Sequence, residues 1–292
     1  MRIVVAAASS ALATLSAASA RGEGASQPNF RICAFEKFLQ DLSYDELADV
    51  VAELGFVGIE ATVRQRGHVA PERVEEDLPK LVAALAARGL EITVMASDVV
   101  RIDDPINQRV LQTASDLGVT RYRMGYYRYD DEAPIPQQLE EFKPMVRDLA
   151  QANQELGLTA LYQNHAGARN VGATVWDLYE LIKDVPTDQI AVAFDIRHAA
   201  VEAGLAWPIT YRLIQPHIGA LFVKDFVWRD GKVENVPLGD GLVDPKFFAS
   251  ARRRHRDLPI SLHVEYLTTA GVQPNIDALR KDLGVLRRWL SA

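Results

Sequence analysis

The chain has 292 residues, 48% of them hydrophobic and 24% charged, with 18 glycines and 14 prolines, a composition that excludes disordered, collagen-like and low-complexity classes. Thirty-two Lys and Arg against 39 Asp and Glu give a formal charge of −7, which argues against a protein that coats nucleic-acid phosphates. The single cysteine, Cys33, excludes an internal disulfide and a cysteine-rich zinc site.

Met1-Arg2, an apolar Ala/Val/Leu/Ser run and Ala18-Ser19-Ala20 have the layout of a secretory signal peptide over residues 1–20. The run is too short and too rich in small residues to span a bilayer, and Arg2 is not followed by the second arginine of a twin-arginine signal. Cleavage would remove one arginine and no acid, leaving 31 basic against 39 acidic residues and a charge of −8. The expectation is export to a periplasm-like compartment, a linker over 21–29 and no membrane contact after cleavage.

From residue 30 onward, short β-rich runs alternate with helical patterns. Phe30–Phe35 reads as the first strand. Ser43 and Glu46 form a capping box, Leu47, Val50, Val51 and Leu54 recur at helical spacing, and Gly55 ends that helix. Phe56–Glu60 is the second strand. Pro71 opens a helix with Val74, Leu78, Leu81 and Leu85 on one face, Gly89 closes it, and Glu91–Ala96 is the third strand. Further strands read Arg121–Met124, Leu158–Gln163, Ile190–Asp195, Gly219–Lys224 and Pro259–Glu265. The last helix carries Ile276, Leu279, Leu283, Leu286 and Leu290.

Strands separated by helices are parallel, and eight such units predict a single (β/α)8 TIM barrel over residues 30–292. No glycine-rich dinucleotide fingerprint follows the first strand, so a doubly wound sheet and a nucleotide cofactor are not expected. Barrel active sites sit at the C-terminal strand ends. The polar residues there are Glu60 with His68 beyond it, Ser97 and Asp98, Arg123, Gln163 and His165, Asp195 with Arg197 and His198, Lys224, and His263 with Glu265.

Leu54-Gly55-Phe56-Val57-Gly58-Ile59-Glu60, Gln163-Asn164-His165, Asp195-Ile196-Arg197-His198, Val223-Lys224-Asp225, Pro237-Leu238-Gly239-Asp240-Gly241 and His263-Val264-Glu265 occur in an order, each at a strand end, that resembles the xylose isomerase-like barrel superfamily. That superfamily includes sugar epimerases, hydroxypyruvate isomerase, inosose dehydratase and abasic-site endonucleases. The resemblance implies one divalent metal (Mn, Mg, Co or Zn) held by Glu, Asp, His and Glu from strands five to eight. Asp195 and Glu265 match two of these, the first Glu falls on Gln163 and the His falls on Phe222. Asp195, Glu265 and Gln163 are therefore expected to form a weak or absent metal site unless His165, His198 or His263 takes the place of a missing ligand.

The resemblance also implies a pair of glutamates as acid and base. An amide cannot accept a proton at working pH, so Gln163 disfavours symmetric two-base epimerisation. A one-base enolisation remains, with Glu265 or His263 as base and a cation stabilising the enolate. Lys224 is the candidate cation, either with a pKa lowered by an apolar setting or held in an ion pair with a neighbouring carboxylate. Glu60, His68, Arg123, His165, Arg197 and His198 are candidate substrate-binding residues. Tyr126, Tyr127 and Tyr129 with Arg121, Arg123 and Arg128 suit a carbohydrate subsite, or a rim packed on a neighbouring loop. His217 and His255 read as surface residues, and Cys33 as a small core residue.

The expected function is an exported enzyme on a small sugar or keto-sugar, abstracting a proton next to a carbonyl and ending in isomerisation or in the elimination of a lyase or dehydratase. The alternative is a catalytically degenerate barrel that binds carbohydrate without a tight metal site. Abasic-site nuclease chemistry fits poorly with the acidic charge. A homo-oligomer is expected only by analogy with relatives.

Overall fold

The computed structural model describes residues 30–292; the secretory segment and linker expected over 1–29 lie outside the described residues. Each of the eight apolar runs forms a strand: β1 (Ile32–Phe35), β2 (Gly58–Val63), β3 (Glu91–Ser97), β4 (Arg121–Arg123), β5 (Thr159–Gln163), β6 (Ile190–Asp195), β7 (Ile218–Val223) and, after the hairpin of β8 (Asp225–Arg229) and β9 (Lys232–Val236), β10 (Ile260–Leu262). The eight pair in parallel and close, with β10 between β7 and β1. This is the (β/α)8 barrel expected from the alternation of elements.

Helices α1 (Tyr44–Leu54), α2 (Val74–Ala86), α3 (Pro105–Asp116), α4 (Ile135–Leu156), α5 (Trp176–Ile182), α6 (Ile196–Ala203), α7 (Trp207–Ile214), α8 (Lys246–Arg254) and α9 (Val272–Ser291) surround the strands. The capping box is made at α1: Glu46 N donates to Ser43 Oγ and Ser43 N to Glu46 Oε2, and Gly55 closes the helix at φ 80°. Among the described residues no helix is long and apolar enough to cross a membrane.

Two apolar layers follow from strands buried on both faces. The larger joins strands to helices; the smaller fills the barrel with Val94, Leu161, Ala191, Ala193, Ala220 and Phe222. Phe222 thus faces inward, with no exposed surface. The β2–β3 register shifts between Ile59 and Glu60, and a bulge of this kind re-aims the side chains that follow it.

The β8–β9 hairpin was not expected from the sequence. Asp230 and Gly231 form its turn, both with positive φ (50° and 72°), the conformation that lets two twisted strands meet in a tight loop. The buried Asp225 carboxylate organises the chain after it, accepting backbone N–H bonds from Phe226, Gly239, Gly241 and Val243 at 2.9–3.1 Å. A Cβ at Gly241 would overlap that carboxylate, so glycine is required there. His255 also departs from expectation: it is buried, with Nε2 3.0 Å from the Tyr211 hydroxyl.

Candidate active site at the barrel mouth

Strand parity brings together the polar side chains at the C-terminal ends of β2, β4, β5, β6, β7 and β10. Glu60, Arg123, Gln163, Asp195, Lys224, Ser261 and His263 are all buried, while Glu265 keeps 18% of its side chain exposed. Burying this much charge is tolerated only if it is paired and hydrogen-bonded. Two connected groups achieve that.

In the first, Lys224 Nζ lies 2.7 Å from Glu265 Oε2 and 3.3 Å from Asp195 Oδ2. Asp195 also caps α6, accepting from His198 N at 3.1 Å. Its backbone is clasped by Asn164, which accepts from Asp195 N and donates to Asp195 O. Gln163 Nε2 donates to Asp195 Oδ2 at 2.8 Å, and Gln163 Oε1 accepts from Arg123 Nη1 at 2.7 Å and from the Tyr126 hydroxyl at 2.6 Å. A guanidinium can only donate, which fixes the amide's orientation.

In the second, Glu60 Oε2 meets His263 Nε2 at 2.8 Å and the Ser261 hydroxyl at 2.6 Å, with Arg123 Nε 3.3 Å from Oε1. His263 is stacked on Phe35, with ring centroids 4.4 Å apart, and lies 4.8 Å from Phe222. Its Nδ1 is buried without a hydrogen-bond partner. Arg123 joins the two groups.

The charges set the protonation states. Burial works to raise the Glu60 pKa, but His263 and Arg123 outweigh it and hold the carboxyl below its usual range. Burial opposes ionisation of Glu265 as well, yet Lys224 and then His263 hold it well below the carboxylate range. Of the two readings of Lys224, the structure has the ion pair and not the lowered pKa: burial does lower it, but Asp195 and Glu265 more than compensate, and its pKa is raised. Lys224 is a fixed ammonium in an ion pair.

The imidazoles behave oppositely. Burial, Lys224, His165 and Arg197 push His198 well below its ordinary value, and burial with Lys224 lowers His165. Their rings lie 3.9 Å apart, and Tyr126 flanks His165 at 5.2 Å. His165 Nδ1 is 2.8 Å from the Ala166 carbonyl, so Nδ1 carries the proton and Nε2 the lone pair. Arg197 Nη1 donates to His198 Nδ1 at 2.9 Å.

His68 stands apart. Its Nδ1 is 3.2 Å from the buried Glu36 carboxylate and its Nε2 3.0 Å from the Leu42 carbonyl, contacts that lock the β2 loop onto the chain after β1. Both ring nitrogens are used within the protein, which supports a structural role. Ser261 and Glu36 are the partners that sequence reasoning did not single out for the site, whereas Tyr126 was already placed in the aromatic and basic patch after β4. Ser261 was legible in principle, lying two residues before His263 on the same strand face.

The four-ligand metal centre implied by the resemblance does not fit these residues. Lys224 fills the space between Asp195 and Glu265, Gln163 turns its nitrogen rather than its oxygen to Asp195, and Phe222 offers no donor atom. Among the described residues no group of three or more His, Cys, Asp or Glu is arranged to hold a metal ion.

Residues 48–289 match the family of xylose isomerase-like TIM barrels. The chain belongs to that family. Solved structures with the same fold include the probable 3-DHS dehydratase of petrobactin synthesis from Bacillus anthracis (16% identity, 88% of this chain and 98% of that one, TM-score 0.68). The 3-keto-D-glucoside 4-epimerase from E. coli (16%, 89% and 99%, 0.67) and a D-psicose 3-epimerase from Clostridium cellulolyticum (13%, 89% and 98%, 0.66) are similar in the same sense. At these identities the likeness is one of fold. No curated protein matches the chain by sequence.

Proposed function

We propose that the protein is an exported enzyme acting on a sugar or keto-sugar, removing a proton next to a carbonyl. The observation that carries this reading is the Lys224 ammonium, buried between Asp195 and Glu265 in the same cluster as a neutral imidazole whose tautomer is fixed. A fixed positive charge in a water-poor site stabilises an oxyanion as it forms, without reorganisation at the moment of reaction. His165 Nε2 takes the proton from carbon, the C–H electron pair moves into the new C=C bond, and the carbonyl oxygen becomes an enolate beside Lys224. Reprotonation at carbon gives isomerisation or epimerisation; departure of a hydroxyl from the next carbon, protonated to water, gives elimination.

Glu265 is the alternative base expected from the sequence. His263, buried and turned to Glu60, is better suited to hold Glu60 and Arg123 in place. Binding without turnover is the second reading, favoured by Phe222 and Gln163 at the two altered positions.

The test is incubation with a panel of keto-sugars in deuterated water, followed by NMR. Deuterium is expected at a carbon next to the carbonyl, or an elimination product, with the rate falling about 100-fold or more in His165→Gln. Saturable sugar binding without exchange or elimination across the panel would leave the binding reading in place. An unchanged rate in His165→Gln would remove His165 as the base.

A further inference from the structure

One cleft at the mouth has a charge that the cluster does not use. It holds about 300 Å³ between the loops after β2, β3 and β4, lined by Arg64, Asp98, Arg123, Tyr126 and Arg128 among others. That volume is at the lower end of small-molecule sites. Its base is tight: a Cβ on Gly125 would lie 2.7 Å from the Val100 side chain and 2.8 Å from the Asp98 carbonyl, and Gly125 N donates to Val99 O.

The charge count is local. Three guanidiniums face one carboxylate, Asp98, whose Oδ2 is held by Gln65 N at 3.1 Å. Arg123 is balanced from below by Glu60 at 3.3 Å. Among the described residues, neither Arg64 nor Arg128 has a carboxylate within ion-pair distance. One positive charge is left over in a chain whose net charge is −7.

Arg64 is also positioned. Its backbone N donates to Val69 O and its O accepts from Gly67 N, through a turn in which Arg66 adopts φ 59°. A non-glycine residue there is strained, and such strain gathers at functional sites. The Arg64 guanidinium lies 5.8 Å from the centre of the Phe35 ring, over which Arg123 also sits at 5.4 Å. Burial first, and then the charge of Arg123, lower the Arg64 pKa, and the more distant Glu60 and Asp98 carboxylates offset this only in part.

We propose that this cleft takes the carboxylate of an acidic sugar, a uronate or an aldonate, with Arg64 as the bidentate anchor and Arg128 at the rim. A guanidinium fork matches a planar carboxylate with two parallel hydrogen bonds. Tyr126 and Arg123 form the wall shared with the catalytic cluster, since both also contact Gln163 Oε1. That shared wall places the cleft next to the cluster that holds Gln163 and Lys224. The inference rests on the sugar-active reading and specifies its substrate class.

The experiment is calorimetric titration of the purified chain with D-glucuronate, D-gluconate, D-glucose, D-glucose 6-phosphate and inorganic phosphate, repeated with Arg64→Gln and Arg64→Lys. The sugar acids are expected to bind about 10-fold or more tightly than glucose, a difference of about 1.4 kcal/mol. Arg64→Gln should abolish that preference and Arg64→Lys keep only part of it. Added salt should weaken glucuronate binding and leave glucose binding unchanged. Circular dichroism checks that both variants keep the fold. Equal affinity for glucose and glucuronate, or a preference unchanged in Arg64→Gln, overturns this inference and leaves the sugar-active reading standing. Tighter binding of glucose 6-phosphate or phosphate than of glucuronate overturns the carboxylate assignment. Absence of binding by acidic and neutral sugars alike overturns both.

Discussion

Replacing Lys224 by methionine keeps most of the side-chain volume and removes the ammonium that faces two carboxylates. Asp195 is fully buried and Glu265 18% exposed, so neither can recover full hydration. Removing one partner of a buried ion pair costs about 3–5 kcal/mol. At about 2–4 °C per kcal/mol for a domain of this size, the melting temperature should fall by roughly 6–20 °C. The residual exposure of Glu265 favours the lower half of that range. The pH dependence is a sharper test. In the parent, the depressed Glu265 pKa contributes stability that is present above the unfolded value, about 4.3, and is lost as pH falls through the lower folded value. In Lys224→Met, Glu265 keeps its burial and loses the largest of the charges that hold its carboxyl down, so its pKa rises and the loss of stability on acidification to about pH 5 is smaller than in the parent. Urea unfolding at about pH 7 and about pH 5 should therefore show the gap between variant and parent narrowing. A variant as stable as the parent near neutral pH, or a gap that does not narrow on acidification, would refute the ion-pair account.

Two further outcomes follow from the same geometry. Gln163→Glu restores a carboxylate where the resemblance implies one, but places it against Asp195 Oδ2, to which Gln163 now donates at 2.8 Å; melting is expected to fall near neutral pH and to recover partly on acidification, despite the retained Arg123 and Tyr126 donors. Gly241→Ala should cost about 3 kcal/mol or more, since its Cβ would displace the Asp225 carboxylate from four buried backbone N–H groups. A urea midpoint within error of the parent would show that the loop relaxes freely.

The barrel was legible because each strand is short, apolar and bounded by local signals that do not depend on distant contacts. Gly55 after α1 and the Phe56–Glu60 run that follows it are one example. Strand parity likewise put Glu60, Arg123, Asp195, Lys224, His263 and Glu265 on the list of mouth residues. What could not be read was what each would meet. The sign of the Lys224 shift is decided by Asp195 and Glu265, contributed by different strands, and His68 is claimed by Glu36, 32 residues earlier. Arg64 drew no attention because it lies just past β2 and carries no motif. The β8–β9 hairpin did carry a local signal, Asp230-Gly231, overshadowed by the Lys224-Asp225 and Pro237–Gly241 landmarks on either side.

The unbroken run of contacts from Arg123 through Gln163, Asp195 and Lys224 to Glu265 links side chains from β4 to the segment after β10. Its consequence is a barrier to gradual change. Glutamate at 163 alone meets Asp195, and histidine at 222 alone brings a polar ring into the apolar layer inside the barrel. Neither change alone yields a four-ligand metal site. Positions 163 and 222 therefore have to change together, because each on its own disturbs a neighbour that the present arrangement satisfies.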